Sequence, residues 1–251
     1  MITSILLGLL LAGSPAPSAH AESQALVVAV QDYDALAAEY DQAMKTYKRE
    51  LRRADRDTRK TMRKNPPAKQ FFPRFEALAG EGDGQAHLWT LVHIKEKGLG
   101  IRETRDVRTQ GYAKLVAAHA SAEWFHEALD QLPRERKYLG TEELVRIYEK
   151  VLAENGSRDI QAQALFQLSV ELRRTKDEAN IARADELLER VIAEYGDMEY
   201  ANSADNDLFI ATRLSVGREA PDFDGKTIDG YEFKLSDYRG KIVLVDFYGF
   251  W

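Results

Sequence analysis

Apolar residues recur every three or four positions from about residue 23 to residue 216, which is the period of amphipathic helices. In the first such stretch, one helix face carries six apolar residues: Tyr33, Leu36, Tyr40, Met44, Tyr47 and Leu51. We expect Pro66-Pro67 to end this helix, because proline interrupts the hydrogen bonding of a helix interior. Further helices are predicted around residues 85–97, 104–119 and 121–129. Pro133 is predicted to be the next break, and the pattern as a whole predicts a mainly α protein.

The sequence after Pro133 contains an internal repeat. Glu149–Gly156 returns as Glu189–Gly196, an offset of 40 residues. The same offset aligns three further pairs: Ile147 with Leu187, Ala164 with Ala204, and Leu168 with Leu208. Each copy is predicted to be a helix ending at a glycine cap, followed by a second helix. The layout resembles tetratricopeptide-type hairpins, with extra residues expected in the polar connection 175–180. Because two copies are few for a solenoid, the preceding helices should complete the stack, and a protein partner on the repeats is plausible.

The segment Lys45–Lys64 is strongly basic. It holds ten lysine or arginine residues against three acids, a net charge of +7, and leaves −13 for the rest of a chain whose total is −6. A contact with nucleic acid or anionic lipid fits such a segment. The alternative is a solvated helix face that docks onto acidic helices of the same chain. We favour this alternative and expect no nucleic-acid partner.

Residues 1–21 have the pattern of a secretory signal peptide. A short apolar run at residues 5–11 is followed by helix breakers and by Ala19-His20-Ala21, an Ala-x-Ala cleavage site. Cleavage after Ala21 is therefore expected, with export to the periplasm or cell envelope. The run is far shorter than the roughly 20 residues that a membrane-spanning helix needs, so no transmembrane segment is expected in the mature chain.

The histidines show no recognised metal or catalytic spacing. His119 and His126 are seven residues apart and could share a helix face with Glu123, which is a weak metal pattern without an anchoring motif. The chain contains no cysteine, which excludes disulfides, a cysteine-based zinc site and thiol catalysis by these 251 residues. We therefore predict no catalytic residue, no metal site and no cofactor within the sequence.

The pattern changes after residue 217. Asp229-Gly230 is a strong hairpin signal, and it lies between short segments rich in strand-forming residues. Ser236 and Asp237 can cap a single helical turn closed by Gly240. The apolar run from Ile242 to Phe247 then predicts a central strand covered on both faces.

These motifs, taken in order, resemble the start of one protein family. Ala-Pro-Asp-Phe at 220–223, Asp-Gly at 229–230, Leu-Ser-Asp at 235–237 and the strand ending in aromatic-x-x-Trp are similar to the redoxin branch of the thioredoxin superfamily, that is, TlpA-like thiol-disulfide oxidoreductases and alkyl hydroperoxide reductases. The resemblance covers about 35 of the 251 residues, 217–251. In the family, a Cys-x-x-Cys follows at a helix N-terminus, which favours the thiolate. The resemblance thus implies that Tyr248 and Trp251 flank an active site, although ordinary packing at a strand end is the role we favour in a chain without the cysteines.

Neither cysteine is present, because the sequence ends just before the expected motif. Three explanations stay open: a sequencing or frameshift artefact, a decayed gene, and a selenocysteine codon, UGA, read as a stop. The codon after Trp251 distinguishes them.

The sequence predicts three domains: a signal peptide at 1–21, a helical tetratricopeptide-like domain at 22–216, and an incomplete thioredoxin-like α/β domain at 217–251. The predicted function is that of an exported thiol-disulfide oxidoreductase or peroxidase-like redoxin, inactive as given, whose full-length form would act on protein disulfides or peroxides. The alternative is a non-enzymatic helical-repeat binding protein of the cell envelope with a vestigial tail.

Overall fold

The helical period of the sequence is realised through most of the chain. The computed structural model describes residues 32–246 and residue 249. The chain divides into two compact units, with the boundary between Leu99 and Gly100. The described part of the first unit contains α1 (Tyr33–Arg53), α2 (Arg56–Lys64), α3 (Pro67–Gly80), α4 (Gly84–Val92) and a 3-10 turn, Ile94–Lys97.

The second unit begins with α5 (Ile101–His119) and the 3-10 turn Glu123–Phe125. Its later helices are α6 (His126–Leu139), α7 (Thr141–Glu154), α8 (Arg158–Arg174), α9 (Glu178–Glu194) and α10 (Glu199–Arg213). The strands β1 (Asp224–Lys226) and β2 (Glu232–Lys234) and the 3-10 turn Leu235–Tyr238 follow. The predicted mainly α class is confirmed.

The first helix is shorter than the sequence pattern predicted. Instead of running to Pro66-Pro67, α1 ends at Arg53, and Ala54 is extended. The Asp55 carboxylate accepts hydrogen bonds from the backbone N–H groups of Asp57 and Thr58, both at 2.9 Å, and so caps a new helix. The expectation of one continuous helix was therefore wrong, because a good N-cap residue lies within the periodic stretch.

An aromatic cluster forms the core of the first unit. The Phe75 ring, which is fully buried, stacks on Trp89 with centroids 3.9 Å apart. The ring of His93 also stacks on Trp89, with centroids 3.9 Å apart, and its Nε2 atom lies 3.1 Å from the Tyr40 hydroxyl. The remaining buried members of this core are Leu36, Ala68, Phe71, Phe72, Ala86 and Ile94. The apolar face predicted from residue 33 onward thus packs against α3 and α4.

Pro133 does not break the chain as predicted but lies inside α6. A proline in a helix interior costs about 3 kcal/mol. Ala128, Leu129 and Leu132 on the same helix are fully buried, and burying one leucine side chain contributes about 1.5–3 kcal/mol. Packing of this face therefore outweighs the missing hydrogen bond.

The repeat corresponds to two helical hairpins, α7 with α8 and α9 with α10. Each first helix ends two residues before the predicted glycine, and the capping residues are Asn155 and Tyr195. Neither Gly156 nor Gly196 has a positive φ angle. The predicted glycine caps were therefore wrong in their conformation. The prediction that the extra residues of each repeat lie in the connection 175–180 was also wrong. The connection between α8 and α9 is only Thr175–Asp177, since Glu178 already begins α9. The additional length lies in the helices.

Polar contacts join the loops along one edge of this stack. The side-chain amide of Asn155 donates to the backbone oxygens of Ala120, at 2.8 Å, and Ala122, at 3.0 Å. The first residue of α8, Arg158, makes the next such contact, since its guanidinium donates to the backbone oxygen of Glu194 at 3.3 Å and to the carboxylate of Asp197 at 2.8 Å. The hairpins α5–α6, α7–α8 and α9–α10 are therefore stacked in chain order, so the helices before the repeat do extend it.

Candidate functional site

The C-terminal segment contains the predicted hairpin. β1 and β2 pair antiparallel, with Gly225 opposite Phe233. Thr227 donates its N–H to the Tyr231 oxygen at 2.8 Å, and Gly230 has the positive φ angle, +88°, that the turn requires. The hairpin prediction is confirmed, although the first paired strand is 224–226 rather than the residues adjacent to the turn.

Gly225 has a specific packing role in this hairpin. A Cβ atom at this position would lie 2.3 Å from Cζ of Phe233, far inside van der Waals contact. The Phe233 ring lies over Gly225 and also meets Tyr238 edge-on, with centroids 6.0 Å apart and an interplanar angle of 89°. The ring of Phe233 thus links the hairpin to the 3-10 turn that follows it.

Two motifs that carried the family resemblance touch each other directly. Asp222, from Ala-Pro-Asp-Phe, accepts hydrogen bonds from the Ser236 N–H at 2.8 Å and from the Ser236 hydroxyl at 2.6 Å. These bonds lower the pKa of the Asp222 carboxyl below its ordinary value, because they favour the charged form. Leu235 also donates its N–H to the Phe223 oxygen at 3.1 Å. This contact was not predicted from the sequence, although an acid in one motif and a hydroxyl in the other were a signal for it.

The predicted single helical turn forms, but Ser236 lies inside it rather than at its N-cap, which is Lys234. It starts at Leu235, and the Asp237 carboxylate accepts the N–H of Lys234 at 2.8 Å. Gly240 follows it with a φ angle of +84°. The existence of the turn was thus predicted but its first residue was not, and Asp237 stabilises its start.

An open groove of about 500 Å³ lies between the end of α10 and this segment. An ion pair between Arg239 and Glu219, at 3.2 Å, lies along it, with Arg213 and Asp222 also in its lining. Both side chains of the pair are largely exposed, at 74% and 79%, so the pair contributes little to stability.

The weak histidine pattern does not become a metal site. Within residues 32–246, no three histidine, cysteine, aspartate or glutamate side chains are grouped to hold a metal ion. The Nδ1 atom of His126 lies 3.1 Å from the Glu123 backbone oxygen. The ring of His119 lies beside the Trp124 ring, with centroids 5.6 Å apart. The two histidines are therefore engaged in local contacts rather than converging with the Glu123 carboxylate.

The predicted strand at 242–247 is not formed over its described residues. Residues 242–246 have no strand partner, and the side chains of Ile242 and Leu244 are fully exposed at 103% and 93%. A central strand exists only when neighbouring strands satisfy both of its edges. The β1–β2 hairpin does not supply such a partner, so the expectation of a doubly covered strand was wrong for residues 242–246.

The predicted flanking residues Tyr248 and Trp251 and the predicted cleavage residue Ala21 lie outside the described residues. Their assigned roles stay predictions. Within residues 32–246, no helix combines the length and the apolar character needed to cross a bilayer.

Part of the chain is similar to thioredoxin-like thiol-disulfide oxidoreductases. The thiol-disulfide oxidoreductase ResA of Geobacillus kaustophilus is 50% identical over 40 residues, which are 16% of this chain and 23% of that protein. ResA of Geobacillus thermodenitrificans is 48% identical over 40 residues, with the same coverage. The chain thus spans about a quarter of the length of the curated relatives it matches. No family model and no solved structure matches it.

Proposed function

We propose that this chain carries the helical front and the opening segment of an exported, thioredoxin-like thiol-disulfide oxidoreductase. The observation that carries the proposal is the 50% identity with ResA over 40 residues. The contacts of the C-terminal segment support it, because Asp222 and Ser236 hold two motifs of the redoxin pattern against each other.

The nucleophile of this reaction comes from outside the 251 residues, since they contain no cysteine. In the proposed full-length protein, Tyr248 and Trp251 precede that nucleophile. It is a cysteine thiolate, or a selenolate if the codon after Trp251 is UGA. Attack on a protein disulfide breaks its S–S bond, joins one substrate sulfur to the nucleophile and releases the other as a thiolate. A second thiol of the enzyme then bonds to the nucleophile and displaces the remaining substrate thiolate, so the substrate is reduced and the enzyme pair is oxidised. Attack on a peroxide is the corresponding reaction of the peroxidase relatives.

The stacked hairpins serve, in this proposal, as a tetratricopeptide-like module that holds a protein partner near the redox site. Tethering raises the effective concentration of the partner, to the millimolar range for short connections. Only a short segment separates the end of α10 from β1, so the module and the redox segment are neighbours in the chain.

The test compares two proteins made from the natural gene. One is the product that includes the codons after Trp251, and the other is the 251-residue chain, which serves as a matched control without cysteine. The longer product should accelerate the reduction of insulin disulfides by dithiothreitol or consume hydrogen peroxide, while the control should do neither. A verified longer product that is inactive in both assays would contradict the proposal.

A second candidate is a non-enzymatic binding protein of the cell envelope, built on the same helical repeats. One observation favours it: Phe209 and Ile210 on α10, and Leu214 at its C-cap, are about half exposed, at 46%, 54% and 56%. Exposed apolar side chains on one helix suit a protein partner. A partner that binds the 251-residue chain, and that is lost with Phe209→Ser and Ile210→Ser, together with an inactive longer product, would favour this function.

A further inference from the structure

Two consecutive helices each carry a stripe of positive charge. In α1 the cations lie at positions 45, 48, 49, 52 and 53, and in α2 they lie at 56, 59, 60, 63 and 64. Both sets follow the spacing i, i+3, i+4, i+7, i+8, which places each set on one face of its helix. Nine of these side chains are exposed, and we call them the basic surface: Lys45, Lys48, Arg49, Arg52, Arg53, Arg56, Lys60, Arg63 and Lys64.

The two stripes lie on adjoining helices, because α2 is fastened to α1. The Tyr47 hydroxyl donates to the Met62 backbone oxygen at 3.2 Å. Arg59, the tenth cation of the segment, is half-buried, and its guanidinium donates to the backbone oxygens of Leu51, at 3.2 Å, and Ala54, at 2.8 Å. Arg59 therefore has a structural role, and the other nine cations are left for solvent or for a partner.

No acidic residue among the described residues neutralises the basic surface by an ion pair. Asp55, in the same segment, is occupied in capping α2. Elsewhere in this unit cations do find acids, since Arg74 pairs with Glu39 and Lys97 with Glu76. Docking of the segment onto acidic helices, the sequence-based expectation, is therefore absent from the described part of this unit. Nine unpaired like charges on two short helices repel one another, and a dense external anion would relieve that repulsion.

We propose that the basic surface docks this protein onto a bilayer rich in anionic phospholipid. Each stripe spans about 12 Å of helix, at 1.5 Å per residue, and presents several ammonium and guanidinium groups along that length. A bilayer offers many phosphates in one plane, and the long apolar stems of lysine and arginine let their charged ends reach it.

Nucleic acid fits this surface less well. Proteins that bind single strands stack bases on aromatic side chains. Tyr47 is the one aromatic residue within 45–64, and its hydroxyl is bonded to Met62 while its ring is half-buried. The preference for lipid also rests on the proposed export, which would separate the protein from nucleic acid.

The experiment is sedimentation of the full chain with vesicles of phosphatidylglycerol and phosphatidylcholine, against vesicles of phosphatidylcholine alone. Two variants each remove three charges: Lys45→Gln/Lys48→Gln/Arg52→Gln in α1, and Arg56→Gln/Lys60→Gln/Arg63→Gln in α2. One basic residue near an anionic bilayer is worth about a fivefold change in binding, so each triple variant should bind roughly 100-fold more weakly. Two separate variants guard against a folding defect, and circular dichroism should show unchanged helix content for both.

A matched control removes three exposed and unpaired cations from α5: Arg102→Gln/Arg105→Gln/Lys114→Gln. Its binding should change by less than about fivefold, because these three cations do not belong to the basic surface. Loss of binding at high salt would support the proposal. The proposal would be overturned if the full chain did not bind anionic vesicles at low salt, or if the control lost as much binding as the other two variants. It would also be overturned if a DNA fragment bound the chain more tightly than the vesicles do.

Discussion

Asn155 provides the sharpest test of how the helical hairpins are joined. Its side chain is only 4% exposed and lies in the loop between α7 and α8. Its amide nitrogen donates to the backbone oxygens of Ala120, at 2.8 Å, and Ala122, at 3.0 Å, while its amide oxygen accepts the Ser157 N–H at 2.9 Å. One side chain therefore connects the loop after α5 to the loop of the first repeat.

We expect Asn155→Ala to lower the free energy of unfolding by about 3 kcal/mol, since it removes three hydrogen bonds that are each worth about 1 kcal/mol. Asn155→Asp keeps the shape of the side chain but points a carboxylate at the two oxygens that received hydrogen bonds. Repulsion adds to the lost bonds, so this variant should be at least as destabilised at neutral pH.

The measurement is urea unfolding followed by far-ultraviolet circular dichroism. Asn206→Asp in α10 is the control, because Asn206 is exposed, and its effect should stay within about 0.5 kcal/mol. A loss of less than about 1 kcal/mol for Asn155→Ala, or wild-type stability for Asn155→Asp, would show that Asn155 does not join the hairpins.

Two further predictions concern buried polar groups. Arg108 and Glu135 form a salt bridge with side chains only 3% and 9% exposed. Arg108→Met or Glu135→Leu alone should therefore cost about 3–5 kcal/mol in urea unfolding, whereas the double variant should regain most of that loss; equal costs for the double and single variants would contradict this. Burial lowers the pKa of His93 below its ordinary value. Neutral His93 therefore contributes its full share to the free energy of unfolding above about pH 6.5, and this share falls as the pH drops toward the lowered pKa. Thermal unfolding between about pH 5 and pH 7 should show this decline, and His93→Gln should flatten it; an equally steep decline in the variant would assign it to other groups.

The sequence predicted those features that depend on local pattern. The apolar face of α1, the 40-residue repeat and the Asp229-Gly230 hairpin all follow from residue spacing or turn chemistry, and the structure contains each of them. At the candidate site, the motifs were found from the sequence, but the bond from Asp222 to Ser236 was not, because 14 residues separate the partners.

The errors arose where tertiary packing or a missing neighbour outweighs local preference. Pro133 stays within α6 because the apolar face around it is buried, and residues 242–246 do not form a strand because they have no partner to pair with. The buried pair of Arg108 and Glu135 was also not predicted from the sequence. Its two charges resemble the many solvated ones in a chain with 76 charged residues, 35 basic and 41 acidic.

The two copies of the repeat share their packing but not their polar contacts. With an offset of 40, Leu144, Tyr148 and Val151 correspond to Ala184, Leu188 and Val191, and all six are fully buried.

Three polar residues of the first copy bond to the preceding hairpin: Asn155 to the loop after α5, Gln163 to Asp130, and Glu171 to Arg136. The offset places Tyr195, Ser203 and Ala211 at these positions in the second copy, where those polar partners are not reproduced. Burial of apolar surface does not itself distinguish the two copies, because the hydrophobic effect is not directional. The covalent chain does distinguish them, since Gly140 alone connects α6 to α7 and so places the first copy next to α5–α6. Only the first copy has the side chains for these polar contacts. The second copy in its place would leave Asp130, Arg136 and the loop oxygens after α5 without these partners. The short connection therefore sets the order of the hairpins, and a few buried polar side chains match only that order.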